Sequence, residues 1–271
     1  MTDQTLADKA LLNAVNHYLN QSVAWQPIAS KGSTNSLYSG QTKLQKLILR
    51  INACEDWAFG VSRESEAQIL ELIQGYAWAP KVIKNNWQEG WCLMSDHGTS
   101  VTEASCQAAS PLLLKAVDQW QSIPSVVSGR FDYTRLFDSY RSSIQNTLTQ
   151  STLTDNLSLL DQLIVGFGNL PEVPLCLTHH DLHPGNLCGN ESQITVLDWE
   201  YAGFGNPWFD AACLYTKFGI PIAAIGSLPA FQHLQQPTLK QGMTNAIWLI
   251  KVLETLWLAV RSSDDKNREG Q

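Results

Sequence analysis

Two periodicities divide the chain. Over the first hundred residues apolar and polar positions alternate in short bursts. They predict strands over SVAWQPIA (22–29), SLYSG (36–40), KLQKLILRIN (43–52), PKVIKNNW (80–87) and GWCLMSD (90–96), with one helix over about 61–75. The Ser39-Gly40 and Glu89-Gly90 pairs predict hairpin turns. From Pro111 the spacing becomes helical, in PLLLKAVDQWQSI (111–123), YTRLFDSYRSSIQNTL (133–148) and LTDNLSLLDQLIVGF (153–167). The segment 177–210 interrupts it with two short strands, and helices resume at Pro207 and run to about Arg261. The final RSSDDKNREGQ reads as a fraying polar tail. The predicted class is α+β, with a β-rich lobe at 1–97, a helical lobe at 98–262 and a tail at 263–271. Two lobes imply a cleft, with a joint near Ser95 to Gly98.

Composition narrows the chemistry. The 271 residues are 44% hydrophobic and 16% charged, enough for a substantial core. A net charge of −7, with no block of Lys and Arg, argues against nucleic acid and anionic membrane as partners. No apolar run approaches a membrane span. The opening MTDQTLADKALLNAVNHYL carries acids where a signal peptide needs an apolar core, so it predicts a surface helix. Six cysteines without CxxC pairing read as buried thiols. The expected location is cytoplasmic. Oligomeric state is not legible.

The densest chemistry lies in LTHHDLHPGNLCGNESQITVLDWEYAGFGNPWFD (177–210). Pro184 and Gly185 keep HHDLHPGN out of regular structure, so its side chains are presented from a loop. ITVLD then alternates and sets Asp198 at a strand end. His179-x-Asp181-Leu182-x-x-x-Asn186 reproduces the spacing of the kinase catalytic loop, and Asp198 follows where a magnesium-binding aspartate is expected. Phosphoryl transfer needs hard oxygen ligands for Mg2+, here Asn186 and Asp198. It also needs a separate carboxylate, Asp181, to accept from or orient the attacking hydroxyl. His179 would brace the loop. A zinc site built from His179, His180 and His183 is disfavoured, because adjacent histidines diverge. An HD-type hydrolase is disfavoured, because Pro184 stops the helix it requires.

On these residues the sequence resembles the aminoglycoside phosphotransferase / choline kinase superfamily, whose loop reads H-x-D-x-H-P-x-N followed by I-D-W/F-E. VLDWEYAGFGNPWFD is especially similar to the choline and thiamine kinase branches. The resemblance implies a two-lobed protein-kinase-like fold, ATP as phosphoryl donor and Mg2+ as cofactor. It also implies a contact between the Met94 and Asp96 region and the adenine edge. KGSTNSLYSG is similar to the Gly-x-Thr-Asn loop of small-molecule kinases, which implies phosphate contacts at Gly32, Ser33, Thr34 and Asn35.

The first lobe should supply a cation and its partner. Alternation puts Leu47, Leu49 and Ile51 on one face of a strand and Lys46, Ile48, Arg50 and Asn52 on the other. Glu66 lies on the apolar stripe of Ile69, Leu70 and Ile73, where a carboxylate is costly without a cation. Arg50 is the first candidate and Lys46 the second; the resemblance implies the same Arg–Glu pair. Asp210, in a first helical turn, serves the helix dipole, and the resemblance implies that it braces the catalytic loop.

The acceptor is less legible. Trp199, Glu200 and Tyr201 are the first candidates for its pocket, followed by Trp208, Trp248, Glu254 and Trp257. Trp248 and Trp257 lie on opposite faces of one helix and cannot both line it. Aromatic and acidic walls suit a small cationic alcohol. The leading expectation is a kinase of a choline- or thiamine-like amino alcohol. An aminoglycoside or sugar kinase is the alternative, and a catalytically silent kinase-like binding module a third reading. A protein kinase is disfavoured, since the short run from Trp199 to Pro207 leaves no room for an activation segment.

Overall fold

The structure, a computed structural model, describes residues 3–28, 35–52, 61–102, 105–125 and 129–269. It begins with helix α1 (Asp3–Tyr18) and an antiparallel five-stranded sheet in the order β1-β2-β3-β5-β4. The strands are β1 (Gln26–Ile28), β2 (Ser36–Gln41), β3 (Lys46–Ile51), β4 (Val82–Asn86) and β5 (Trp91–Ser95), with α2 (Arg63–Leu72) between β3 and β4. The alternation expected for β3 holds. Leu47, Leu49 and Ile51 are buried with Val15 of α1, while Ile48 and Arg50 face the cleft. Ser62 caps α2 by accepting from Ser65 N at 3.2 Å, and Ile69, Leu70 and Ile73 enter the main core.

One expected turn is misplaced. Ser39-Gly40 lies inside β2, and the chain reverses at Thr42–Gln45, where Thr42 Oγ1 accepts from Leu44 N and Gln45 N. Gly40 serves close approach instead: a Cβ there would lie 2.5 Å from Val23 Cγ1 and 2.7 Å from the Trp25 ring. The Glu89-Gly90 turn is where the sequence predicts it, with Gly90 at φ +81°.

Beyond Ser95 the chain is mostly helical: α3 (Cys106–Gln121), α4 (Tyr133–Thr147), α5 (Gln150–Gly168), α6 (Trp208–Phe218), α7 (Ile222–Ile225) and α8 (Gln236–Glu269). Two small antiparallel sheets interrupt the helices. One pairs β6 (Cys176–Thr178) with β9 (Gly203–Gly205), the other β7 (Leu187–Gly189) with β8 (Ile194–Val196). The sequence predicts only two strands here, because three-residue strands carry too little alternation to register.

Helix α8 corrects two expectations. It continues through Glu269, past the expected end near Arg261, since SSDDKNRE contains neither Gly nor Pro to stop it. Its 236–262 portion is also long and apolar enough, by length and composition, to cross a membrane. Scattered charges such as Lys251 and Glu254 hide this from a search for uninterrupted apolar runs. In the fold one face of it packs inward, with Leu239, Met243 and Ala246 in the main core and Leu249, Val252, Leu256 and Val260 on α4 and α5, while Trp248 and Leu258 stay exposed. The result is a two-lobed, protein-kinase-like α+β architecture with a cleft between lobes. Cys92, Cys106, Cys176, Cys188 and Cys213 are free and buried; Cys54 lies outside the described residues.

Candidate active site

A cavity of about 680 Å³ occupies the cleft, lined from one side by Asn35, Arg50, Glu66 and Met94 and from the other by Asp181, Asn186 and Asp198. The Arg50 guanidinium spans it. Its Nη2 lies 2.5 Å from Glu66 Oε2 and its Nη1 3.0 Å from Asp198 Oδ1. Arg50 and Glu66 are 5% and 3% exposed, so each neutralises the other's burial cost. Desolvation disfavours the charged guanidinium, but Glu66 and Asp198 outweigh it and hold Arg50 well above its ordinary value. Lys46, the second candidate, instead pairs with Asp96 at 2.6 Å on the surface. It is the first residue of β3, two outward positions before Arg50, which alone of the two meets Glu66.

The catalytic-loop residues are fixed by backbone-directed bonds. Asp210, 1% exposed at the start of α6, accepts from His179 N and His180 N at 2.9 Å each. The buried His179 ring bridges Leu197 O (2.9 Å, Nε2) and Asp181 N (3.3 Å, to Nδ1). Burial pushes its pKa down to about 4, so it is a neutral strut. Asn186 sits on a 3₁₀ turn (Pro184–Asn186) begun by Pro184, and donates Nδ2 to Asp181 O at 2.9 Å and Asp181 Oδ2 at 3.1 Å. Those bonds use the amide nitrogen and leave Oδ1 as an acceptor for a cation. Leu197 N donates to Asn186 O at 2.7 Å, tying the turn to the residue before Asp198.

Asp198 adopts φ +59°, a left-handed backbone unusual outside glycine. Burial raises its carboxyl to about 6, opposed by Arg50. With Oδ1 on Arg50, Oδ2 remains for another cation. Glu200 is raised to about 8, chiefly by burial and then by Asp198, and it accepts from Asn35 Nδ2 at 3.0 Å across the cleft.

The structure corrects the acceptor-pocket candidates. Trp199 borders the cavity, yet its side chain is fully buried, with Nε1 bonded to Val196 O, in a cluster with Trp78, Trp120 and His179. The left-handed turn at Asp198 breaks strand alternation and sends the following ring inward. Trp208 is also buried, with Nε1 on Pro171 O. Glu200, Tyr201 and Trp257 do line the cavity, whereas Trp248 packs against Gly166 of α5 on another face. Tyr140, Lys217 and Glu254 join them, the last two as an ion pair of 2.8 Å. Sequence reasoning did not single out Tyr140 or Lys217, which reach the cleft from helices far apart in the chain. Met94 lines the cavity; Asp96 also accepts from Gly98 N at 2.9 Å, shaping the joint between lobes. Gly32, Ser33 and Thr34 lie outside the described residues.

Among the described residues no three His, Cys, Asp or Glu side chains cluster as a metal site. His179, His180 and His183 do not form one. The oxygen pair Asn186 and Asp198 matches instead what Mg2+ takes from a protein when phosphates supply its remaining ligands.

Solved structures of similar shape carry the same architecture. The choline kinase LicA from Streptococcus pneumoniae superposes with a TM-score of 0.74 at 16% identity, covering 95% of this chain and 91% of that one. A choline/ethanolamine kinase family protein from Mesorhizobium loti gives 0.69 at 18%, covering 96% and 87%. The aminoglycoside phosphotransferase APH(4)-Ia gives 0.57 at 18%, covering 93% and 99%. No curated protein matches the chain by sequence. The model of the phosphotransferase enzyme family matches residues 24–238, most of the chain, and the chain belongs to that family.

Proposed function

We propose that this phosphotransferase moves the γ-phosphoryl group of ATP to a hydroxyl of a small molecule, with Asp181 receiving the hydroxyl's proton. One observation carries the reading: Asp181, Asn186, Asp198 and Arg50 converge on one interlobe cavity as two bonded pairs, Arg50 with Asp198 at 3.0 Å and Asn186 with Asp181 at 2.9 and 3.1 Å. Asn186 and Asp198 would hold Mg2+. When bound, that ion neutralises charge on the phosphates. Arg50, fixed by Glu66, adds a second positive charge on the opposite side. Asp181 is kept in place by Asn186 and His179, which orients its carboxylate without consuming its charge. Similar proteins support nucleotide use: LicA has been solved with AMP, and APH(4)-Ia with ADP and hygromycin B. Met94 and the adjoining joint would border the adenine, and Asn35 would end the phosphate-facing loop.

The acceptor end is walled by Tyr140, Tyr201 and Trp257 with the carboxyl groups of Glu200 and Glu254. Ring faces and the Glu254 carboxylate suit an ammonium group, whose charge would in turn favour ionised Glu200, so a choline- or ethanolamine-like amino alcohol is the first reading. A second reading, a less cationic polyol such as an aminoglycoside or sugar, is favoured by Lys217, which already compensates Glu254 at 2.8 Å.

ADP release from ATP and Mg2+ across amino alcohols, aminoglycosides and sugars tests both. Turnover with an amino alcohol supports the first reading and with a polyol the second. No turnover with any, alongside intact ATP binding, leaves a silent binding module. Asp181→Asn should lower turnover about a hundredfold or more while nucleotide affinity stays near wild type. Equal turnover removes Asp181 from the chemistry.

A further inference from the structure

The residue immediately before Asp181 is held more tightly than a loop position requires. His180 has φ +67°, a conformation that costs a non-glycine residue free energy and persists only where its surroundings impose it. Its backbone N–H is bonded to Asp210. Its ring is stacked on Phe131 at 4.1 Å and flanked by Tyr133 and Phe209. Its Nε2 lies 2.6 Å from Tyr133 Oη, which is itself 2.6 Å from Asn206 N.

The direction of these bonds follows from Asn206. A backbone N–H can only donate, so Tyr133 Oη accepts from it. Donation of the phenolic proton to His180 Nε2 satisfies it and leaves His180 neutral, with its own proton on Nδ1, a buried atom with no hydrogen-bond partner among the described residues. The arrangement also explains Gly205: a Cβ there would fall 2.6 Å from Tyr133 Oη and 2.7 Å from the His180 ring. Three segments distant in sequence (the start of α4, the catalytic loop and β9) thus meet at one imidazole whose neighbour is the proposed proton acceptor.

Resting on the phosphotransfer reading above, we infer that Tyr133 and His180 are positioning residues for Asp181. The Asn206–Tyr133–His180 chain fixes the imidazole's tautomer and orientation, and through the shared peptide it fixes where the Asp181 carboxylate stands. Neither residue touches the reacting atoms. Tyr140, two turns along α4 from Tyr133, lines the acceptor end, so the same helix braces the loop and walls the pocket.

The first test needs no turnover. Ring ¹⁵N shifts at pH 7, with His180 assigned by its loss in His180→Asn, should show a protonated Nδ1 and a bare Nε2. A protonated Nε2 overturns the inference, whether or not the protein proves to be a kinase. The second test is kinetic, using the best acceptor of the panel or, failing one, ADP release to water. Tyr133→Phe should lower kcat about tenfold while KM for ATP stays within twofold, since a misplaced base costs rate without binding. Adding His180→Asn to Tyr133→Phe should cost less than His180→Asn costs alone. Unchanged kcat, a loss confined to KM, or fully additive losses overturns the positioning role.

Discussion

Replacing Arg50 with methionine is the sharpest test of how the cleft is held together. The substitution keeps an unbranched side chain of similar reach but strips the charge from between two carboxylates. Glu66 is 3% exposed and would lose its cation at 2.5 Å while almost wholly shielded from solvent. Asp198, whose side chain is 31% exposed, can recover water and suffers less. Breaking a buried pair from one side costs about 3–5 kcal/mol, and Glu66 accounts for most of that here. A small offset comes from Arg50 Nε, a buried donor with no hydrogen-bond partner among the described residues, which the substitution also removes. Replacing both partners, Arg50→Met with Glu66→Leu, should recover most of the loss, because a well-packed apolar pair costs little against a buried ion pair. In urea, with a slope of ~3 kcal/mol/M, the single variant's midpoint should fall by about 1–1.7 M. The double variant should fall much less. Both should bind ATP poorly in titration calorimetry, which separates the stability of the pair from its role toward phosphate. A single variant within about 1 kcal/mol of wild type, or a double variant no better than the single one, would refute the claim that Glu66 depends on Arg50.

Three further outcomes are expected. Asp198→Ala should remove the Mg2+ dependence of nucleotide binding, so calorimetry with and without Mg2+ should give matching weak affinities; retained dependence would assign the metal elsewhere. Gly40→Ala should destabilise by about 1–3 kcal/mol in thermal unfolding, because its Cβ would overlap Val23 and Trp25. Burial raises the Asp96 carboxyl, but Lys46 and Gly98 N outweigh it and leave the pKa below its ordinary 3.8. A depressed carboxyl contributes stability above its unfolded value and loses it as pH falls through the folded one. Lys46→Met should therefore have a lower Tm than wild type near pH 7, and the two curves should converge below pH 3.8.

The parts of the site legible in the sequence share a physical property: each is encoded by a local period. Strand alternation put Arg50 opposite Leu47, Leu49 and Ile51, and the helical stripe of Ile69, Leu70 and Ile73 exposed Glu66 as a carboxylate needing a partner. Loop spacing did the same for Asp181, Asn186 and Asp198. What escaped the sequence depends on a backbone torsion or on distance along the chain. Asp198's left-handed turn changes the face on which the next residue lies, so the Trp199 ring is buried in the core at the cavity's edge while Glu200 reaches across it to Asn35. No side-chain pattern announces a torsion of that kind. Tyr140 and Lys217 reach the cleft, and Tyr133 the catalytic loop beside it, because α4, α6 and α8 pack together there, and each alone reads as an ordinary amphipathic position. Gly205 shows how such non-local geometry still leaves a trace. Its missing side chain makes room for Tyr133 and His180, which come from elements 72 and 25 residues upstream. A glycine in the short run from Trp199 to Pro207 therefore stands where a tyrosine and a histidine meet, but it could not name them. The identity of the partners had to come from the fold.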